Sequence, residues 1–130
     1  MDNRTKHQLT EAQNAFRSGK VESARLILAD LLQGEPEQIG ALFLKAHVER
    51  ADLQFDIARE CLINVLNLES ISINNLKMLA QQFSQLELYF LLSETLQRLD
   101  KLEPHNPKIL FQLGLCFARI GNIDESIRAL

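Results

Sequence analysis

The sequence lacks the features of exported and membrane-spanning proteins. Its two cysteines, Cys61 and Cys116, are far apart, form no CxxC pair, and indicate reduced, packed thiols in a reducing compartment. No window approaches about 18 uninterrupted apolar residues, so no transmembrane helix is expected. The polar start, residues 1–6, has no apolar core of a signal peptide. We therefore expect a soluble, cytoplasmic protein that makes no contact with a membrane.

Basic residues are not in excess either. Fourteen Lys and Arg against seventeen Asp and Glu give a net charge of −3, which argues against a nucleic-acid binder that depends on its overall charge. The 130 residues are 46% apolar and 24% charged, close to globular averages, and this length fits one domain, residues 1–130.

Motifs of catalysis and metal binding are missing as well. There is no HExxH, EF-hand loop, Walker sequence or GxGxxG pattern, and His7, His47 and His105 have no ligands at metal spacing. We expect no enzymatic activity, cofactor or metal in these residues. The acidic group Glu49, Asp52 and Asp56 is interpreted as a solvated helix face beside Arg50 and Arg59.

A repeat of 34 residues is what the sequence does contain. Residues of the same type recur at this interval in several columns, which defines units 5–38, 39–72, 73–106 and a partial unit 107–130. The columns are Ala12/Ala46/Ala80/Gly114, Ala24/Ala58/Leu92/Ser126, Leu28/Leu62/Leu96/Leu130, Leu31/Val65/Leu99 and Pro36/Ser70/Pro104. Small residues in the first column allow two helices to approach, and the leucines bury each unit against the next.

Each unit is predicted to consist of two helices. Apolar residues at Leu76, Leu79, Ala80 and Phe83 follow the i, i+3, i+4, i+7 pattern of one helix face. Turns are predicted at residues 18–20 and, in the fourth unit, at residues 121–122. Ser72 and Asn106 are placed to cap first helices of units, and Pro107 suits a first helical position. The sequence predicts an all-α solenoid.

This spacing resembles the tetratricopeptide repeat (TPR) family, with small residues at repeat positions 8 and 20, large apolar residues at 24 and 27, and proline at 32. The match covers residues 5–130 and is strongest in the fourth unit, at Leu113, Gly114, Phe117 and Gly121. It implies a right-handed superhelical solenoid of antiparallel helix pairs, about three and a half repeats long, that acts as a protein-binding scaffold. Glu49 replaces the family's aromatic residue and Leu92 fills a small-residue column, so unit two or the junction between units two and three is expected to be irregular.

The resemblance also implies that the first helix of each unit lines a concave groove. Mapped onto this chain, the groove carries basic and aromatic residues and no acidic ones, which favours an acidic peptide or protein as partner. The lysine and asparagine pattern by which family members clamp a chaperone's terminal carboxylate is absent, since only Lys108 matches. The partner-binding residues that we predict are Lys6, Gln13, Arg17, Phe43, His47, Arg50, Lys77, Gln81, Lys108, Phe111 and Arg119.

Residue 130 falls in the middle of a second helix of the repeat. The interpretation that we favour is an N-terminal repeat region of a longer, bacterial protein; the alternative is a last helix that packs on another chain. Similar repeats precede a sulfotransferase or glycosyltransferase domain in some bacterial proteins, so a targeting arm of a larger enzyme is a second hypothesis. A third is self-assembly as a homodimer through an open C-terminal edge. Its apolar residues would be Phe117, Ile120, Ile123, Ile127 and Leu130.

Overall fold

The computed structural model describes residues 2–129, and the side chains of residues 124–129 lie outside that description. Seven helices and no strand are present in this range, which confirms the all-α prediction. None of these helices is long and apolar enough to cross a membrane. The helices are α1 (Asn3–Arg17), α2 (Val21–Gly34), α3 (Ile39–Ala51), α4 (Phe55–Leu66), α5 (Ile73–Gln85), α6 (Tyr89–Leu102) and α7 (Pro107–Ala129).

The helices group into two compact units, Met1–Leu68 and Glu69–Leu130. In the first unit, α1 packs on α2 and α3 on α4, and α2 also contacts α3. In the second unit, α5 packs on α6 and α6 on α7. The predicted columns form the core of these pairs: Ala12, Ala24, Leu28, Leu62, Leu96 and Leu99 are each at most 1% exposed.

The helices begin where the sequence places their caps. The Ser72 side chain accepts a hydrogen bond from the backbone N–H of Asn75 at 3.1 Å, which caps α5. Asn106 accepts one from the backbone N–H of Lys108 at 3.0 Å at the start of α7. Both predicted caps are therefore confirmed, and they satisfy donors that have no partner within the helix.

The turns inside the three helix pairs share one backbone feature. Gly19, Leu53 and Glu87 have φ values of 80°, 64° and 56°, and they occupy the same position of the 34-residue repeat. A left-handed conformation at this position lets the chain reverse between two antiparallel helices. Glycine adopts it freely, whereas a leucine or glutamate pays roughly 1–2 kcal/mol for the approach of its Cβ to the backbone carbonyl.

Replacing Leu53 with glycine is therefore expected to stabilise the protein. The side chain is 72% exposed, so its removal costs little packing, and the net gain should be about 0.5 kcal/mol after the added freedom of the unfolded chain is subtracted. Urea unfolding followed by circular dichroism measures this change. Gln54→Gly is the matched control, because φ is −91° there and glycine should only destabilise. If both substitutions change the free energy of unfolding by the same amount, the backbone at Leu53 is not strained.

The predicted turn at residues 121–122 is wrong. Helix α7 runs through Gly121 and Asn122 without a break, and Gly121 is absent from the residues with positive φ. A glycine permits a turn but costs only about 1 kcal/mol inside a helix, so packing against a second helix must decide. Among the residues whose side chains are described, none packs over this face of the helix: Gly114 is exposed, and a Cβ added there would meet no atom within 4 Å.

Glu49 also departs from the sequence-based interpretation, because it is buried rather than solvated. Its side chain is 4% exposed and accepts two hydrogen bonds from Arg25 of α2, at 2.7 Å from Nε and 3.2 Å from Nη2. Arg25 also contacts Glu22 and Asp52, and the bonds to Glu49 and Asp52 raise the pKa of its guanidinium. A bidentate ion pair therefore joins α2 to α3 at the residue that departs from the family's pattern.

The two thiols are packed into helix faces, as predicted. Cys61 of α4 is 5% exposed and Cys116 of α7 is 2% exposed, and neither forms a disulfide. Burial raises the pKa of both thiols, so they stay protonated at neutral pH and are poor nucleophiles.

Candidate functional site

An open cleft of about 660 Å³ lies in the second unit, where α5, α6 and α7 meet. Helix α5 forms one wall and helix α7 the other, and α6 closes the floor with apolar side chains. Four predicted partner-binding residues, Lys77, Gln81, Lys108 and Arg119, line this one cavity. The other lining residues are Ala80, Ser84, Gln85, Tyr89, Leu92, Leu99, Asn106, Ile109, Gln112, Leu115 and Cys116.

One end of the cleft is held by a chain of polar contacts. Lys77 Nζ on α5 donates to Glu103 Oε1 at 2.9 Å, and Asn106 Nδ2 donates to Glu103 Oε2 at 3.1 Å. Both contacts lower the pKa of the Glu103 carboxyl, and the contact with Lys77 has the larger effect. Because Asn106 also caps α7 through the backbone N–H of Lys108, the chain connects α5 to the first turn of α7. It therefore fixes the distance between the two walls at this end.

The other end is organised around Tyr89, the first residue of α6. The Arg119 guanidinium lies 6.0 Å from the centre of the Tyr89 ring, at the outer limit of a cation–π contact. Cys116 Sγ donates a hydrogen bond to the Tyr89 carbonyl at 2.9 Å, which holds α7 against the start of α6. The Arg119 side chain is thus directed to the cleft by an aromatic surface.

Cations outnumber carboxylates at the cleft. Lys77, Lys108 and Arg119 line it, no carboxylate is among the described lining residues, and Glu103 at one end is bound to Lys77. Lys108 and Arg119 are eleven residues apart on one helix, which corresponds to about 16 Å along its axis. Between them lie the amide of Gln112 and the apolar side chain of Leu115. Such a surface can bind carboxylates at both ends and a peptide backbone in its middle.

In the first unit, α1 and α3 contact each other at His47, one of the predicted partner-binding residues. The rings of Phe16 and His47 pack edge to face with centres 5.3 Å apart. Arg50 Nη2 lies 3.2 Å from His47 Nδ1, and since a guanidinium only donates, Nδ1 accepts and the ring is neutral. Burial, and secondarily the charge of Arg50, lowers the pKa of His47. His47 and Arg50 thus form a polar pair beside an aromatic ring.

The remaining predicted residues have different surroundings. Lys6, Gln13 and Arg17 are exposed on α1. Phe43 was expected to present an apolar anchor, and this is wrong: the side chain is 7% exposed and belongs to the core of α3. Phe111 is 69% exposed but is not among the residues that line the cleft.

Tyr89 and Asn106 are among the lining residues that were not predicted from the sequence, and both make contacts at the ends of the cleft. The groove was assigned to the first helix of each repeat, whereas Tyr89 begins a second helix and Asn106 precedes a first one. A signal for Tyr89 existed, since it is the chain's one tyrosine.

The predicted dimer contacts are described in part. Phe117 is 50% exposed, Ile123 is 40% exposed and Ile120 is half-buried, while the side chains of Ile127 and Leu130 lie outside the described residues. The homodimer stays a prediction. In the part of the chain that the structure describes, no three His, Cys, Asp or Glu side chains are grouped as metal ligands.

Comparison with known proteins supports the fold. No family model matches the sequence, and no curated protein matches it. Among solved structures, MamA of AMB-1, a TPR-like protein in the P212121 crystal form, is similar with a TM-score of 0.61. The alignment covers 98% of this chain and 70% of that one at 18% sequence identity. This likeness, together with the helix pairs at 34-residue intervals, shows a TPR-like helical repeat fold.

Proposed function

We propose that the protein is an interaction scaffold and that its cleft between α5 and α7 binds an acidic, extended segment of a partner protein. The observation that carries this proposal is the cleft's composition: three cations and several uncharged amides, without a carboxylate among the described lining residues. Because the whole chain carries a net charge of −3, a local excess of cations directs an acidic segment to the cleft.

The three cations have different tasks in this proposal. Lys108 stands in the first turn of α7, where the helix dipole adds to its attraction for a carboxylate. Arg119 offers a planar guanidinium that can bind a second carboxylate with two hydrogen bonds. Lys77 is already bound to Glu103, so it shapes the wall and contributes less free charge. Gln81 and Gln112 can pair with the backbone of the segment between the two carboxylates.

The predicted residues of the first unit form a surface of their own, which this proposal also assigns to an acidic segment. His47 and Arg50 form a site for a further carboxylate, next to the Phe16 ring. Lys6, Gln13 and Arg17 add an exposed polar surface on α1. The targeting arm of a transferase remains the alternative prediction, and no contact described above favours it over a scaffold.

Reversing two charges of the cleft is expected to weaken binding at least tenfold. The probe is a fluorescein-labelled glutamate decamer, and the measurement is its fluorescence anisotropy with the full chain at low salt. In the variant Lys108→Glu with Arg119→Glu, two attractive contacts become repulsive, and each charge-assisted hydrogen bond is worth about 1.5 kcal/mol or more. Binding to the unchanged chain should weaken as salt rises, because exposed charges are screened.

The matched control is Lys20→Glu with Lys101→Glu, which makes the same change in net charge at exposed positions outside the cleft. It should keep most of the affinity. If both double variants lose the same affinity, the probe follows net charge alone and the cleft is not its site. If the unchanged chain does not prefer the glutamate decamer to a glutamine decamer, an acidic partner is excluded.

A further inference from the structure

Helix α7 carries an exposed apolar stripe on the side away from the cleft. Leu110, Gly114, Phe117 and Gly121 follow one another at intervals of four, three and four residues, which places them in a line along the helix. Leu110 is 48% exposed and Phe117 is 50% exposed. Lys108 and Arg119 project roughly opposite to this line, since each residue advances the helix by about 100°. The stripe is therefore separate from the proposed peptide site.

Gly114, at the centre of the stripe, is exposed, whereas the residues at the same repeat position in the other units are buried. Gly114 shares its repeat position with Ala12, Ala46 and Ala80, which are 0%, 1% and 7% exposed in their helix pairs. A Cβ added at Gly114 would meet nothing within 4 Å. Since α7 continues straight through Gly121, no described residue covers this position. Helix α7 thus exposes the face that α1, α3 and α5 bury, and this face also carries the large apolar side chains Leu110 and Phe117.

The order of large and small residues makes this stripe complementary to itself. We propose that a second copy of the chain binds here, with its α7 antiparallel and a two-fold axis between residues 115 and 116. In this register Phe117 of each copy faces Gly114 of the other, and Leu110 faces Gly121. Each large side chain then enters a space left by a glycine, which is the packing that lets two helices approach closely. A two-fold contact requires such reciprocal pairs.

The surroundings of the stripe fit an apolar contact of moderate strength. Phe111 and Ala118 are exposed beside it, and no charged residue interrupts the line from Leu110 to Gly121. The contact extends over about 16 Å of helix, which is short compared with interfaces that bury about 800 Å² per partner. We therefore expect a dimer with a dissociation constant in the micromolar range, in equilibrium with the monomer.

Sedimentation equilibrium of the full chain between about 1 and 200 μM tests the proposal. The unchanged chain should shift from monomer to dimer over this range. Gly114→Leu should weaken the dimer at least tenfold, because its side chain occupies the space for Phe117 of the other copy. It should not unfold the monomer, where the position is open. The control is Gly34→Leu at the end of α2, another glycine with no atom within 4 Å, which should dimerise normally.

Exchange of large and small residues gives the sharpest test. Phe117→Ala alone should also weaken the dimer. Gly114→Leu combined with Phe117→Ala should restore it, because the large side chain at position 114 then fills the space left at position 117 of the other copy. The proposal is overturned by a chain that stays monomeric at 200 μM, by a dimer that Gly114→Leu leaves unchanged, or by a double variant that is weaker than both single ones. None of these outcomes bears on the cleft, which the anisotropy of the glutamate decamer reports separately.

Discussion

Replacing Glu49 with alanine is expected to lower the free energy of unfolding by about 2 kcal/mol, because two hydrogen bonds between charged groups are lost. The carboxylate is 4% exposed and binds both Nε and Nη2 of Arg25. Arg25 keeps its more exposed contacts with Glu22 and Asp52, so the guanidinium is not left without a partner. Urea unfolding of the full chain, followed by circular dichroism at 222 nm, measures the change.

Glu22→Ala is the control for this prediction, because it removes another carboxylate from the same Arg25. The Glu22 side chain is 80% exposed, and pairs at the surface contribute about 0–1 kcal/mol. Glu49→Gln should fall between the two, since it keeps the shape of the side chain and loses the charge. If Glu49→Ala is as mild as Glu22→Ala, burial adds nothing to the pair and α2 and α3 are held by their apolar contacts alone.

The ion pair of Glu49 shows what a repeat pattern leaves undetermined. Columns of small and apolar residues describe what every repeat shares, and Glu49 was the residue that broke its column. Its partner Arg25 is twenty-four positions earlier in the chain, on a different helix. Only the approach of α2 to α3 brings the two together, and no local spacing indicates that approach. A departure from the pattern was visible in the sequence, but its explanation is tertiary.

The helix boundaries, by contrast, could be predicted well. The 34-residue interval is the length of one helix pair with its turns, so the interval locates the start of the first helix in each later unit: α3, α5 and α7 begin at Ile39, Ile73 and Pro107. Capping by Ser72 and Asn106 is local chemistry and was also predicted correctly. These features depend on residues within a few positions of one another, which is why the sequence is sufficient for them.

The turn at Gly121 was predicted by the same local reasoning and is wrong. Glycine, leucine and glutamate all adopt the left-handed conformation at this repeat position when a second helix packs behind the turn. Residue type is therefore not what decides between a turn and a continuous helix. The packing of the following helix decides, and it is a property of the folded unit rather than of the residues at the turn.

For the cleft, repeat positions were a useful but incomplete guide. They selected Lys77, Gln81, Lys108 and Arg119, which line one cavity because first helices repeat the same orientation. They also selected Phe43, which is buried, since a large apolar residue on such a helix packs inward wherever the neighbouring helix is close. Whether two first helices enclose a cleft depends on the distance between them, which columns of residue types do not encode.

The small-residue column gives the second large stability effect, at Ala12. Replacing Ala12 with leucine is expected to destabilise the protein by about 3 kcal/mol, the upper end of the usual cost of overpacking. Ala12 and Ala24 are both 0% exposed in the core of the first unit, so the larger side chain must push α1 away from α2. Urea unfolding of the full chain measures the loss.

Gly114→Leu is the informative comparison for Ala12→Leu, because it introduces the same side chain at the same repeat position. No atom lies within 4 Å of the added Cβ, and replacing a glycine inside a helix gains up to about 1 kcal/mol, so stability should be unchanged or higher. Both variants are compared at about 1 μM, where the proposed dimer is dissociated. If they destabilise equally, the column reflects something other than the contact between paired helices. If only Ala12→Leu destabilises, the small residues of the first three repeats are explained by packing, and Gly114 of α7 is free to serve a contact outside its own unit.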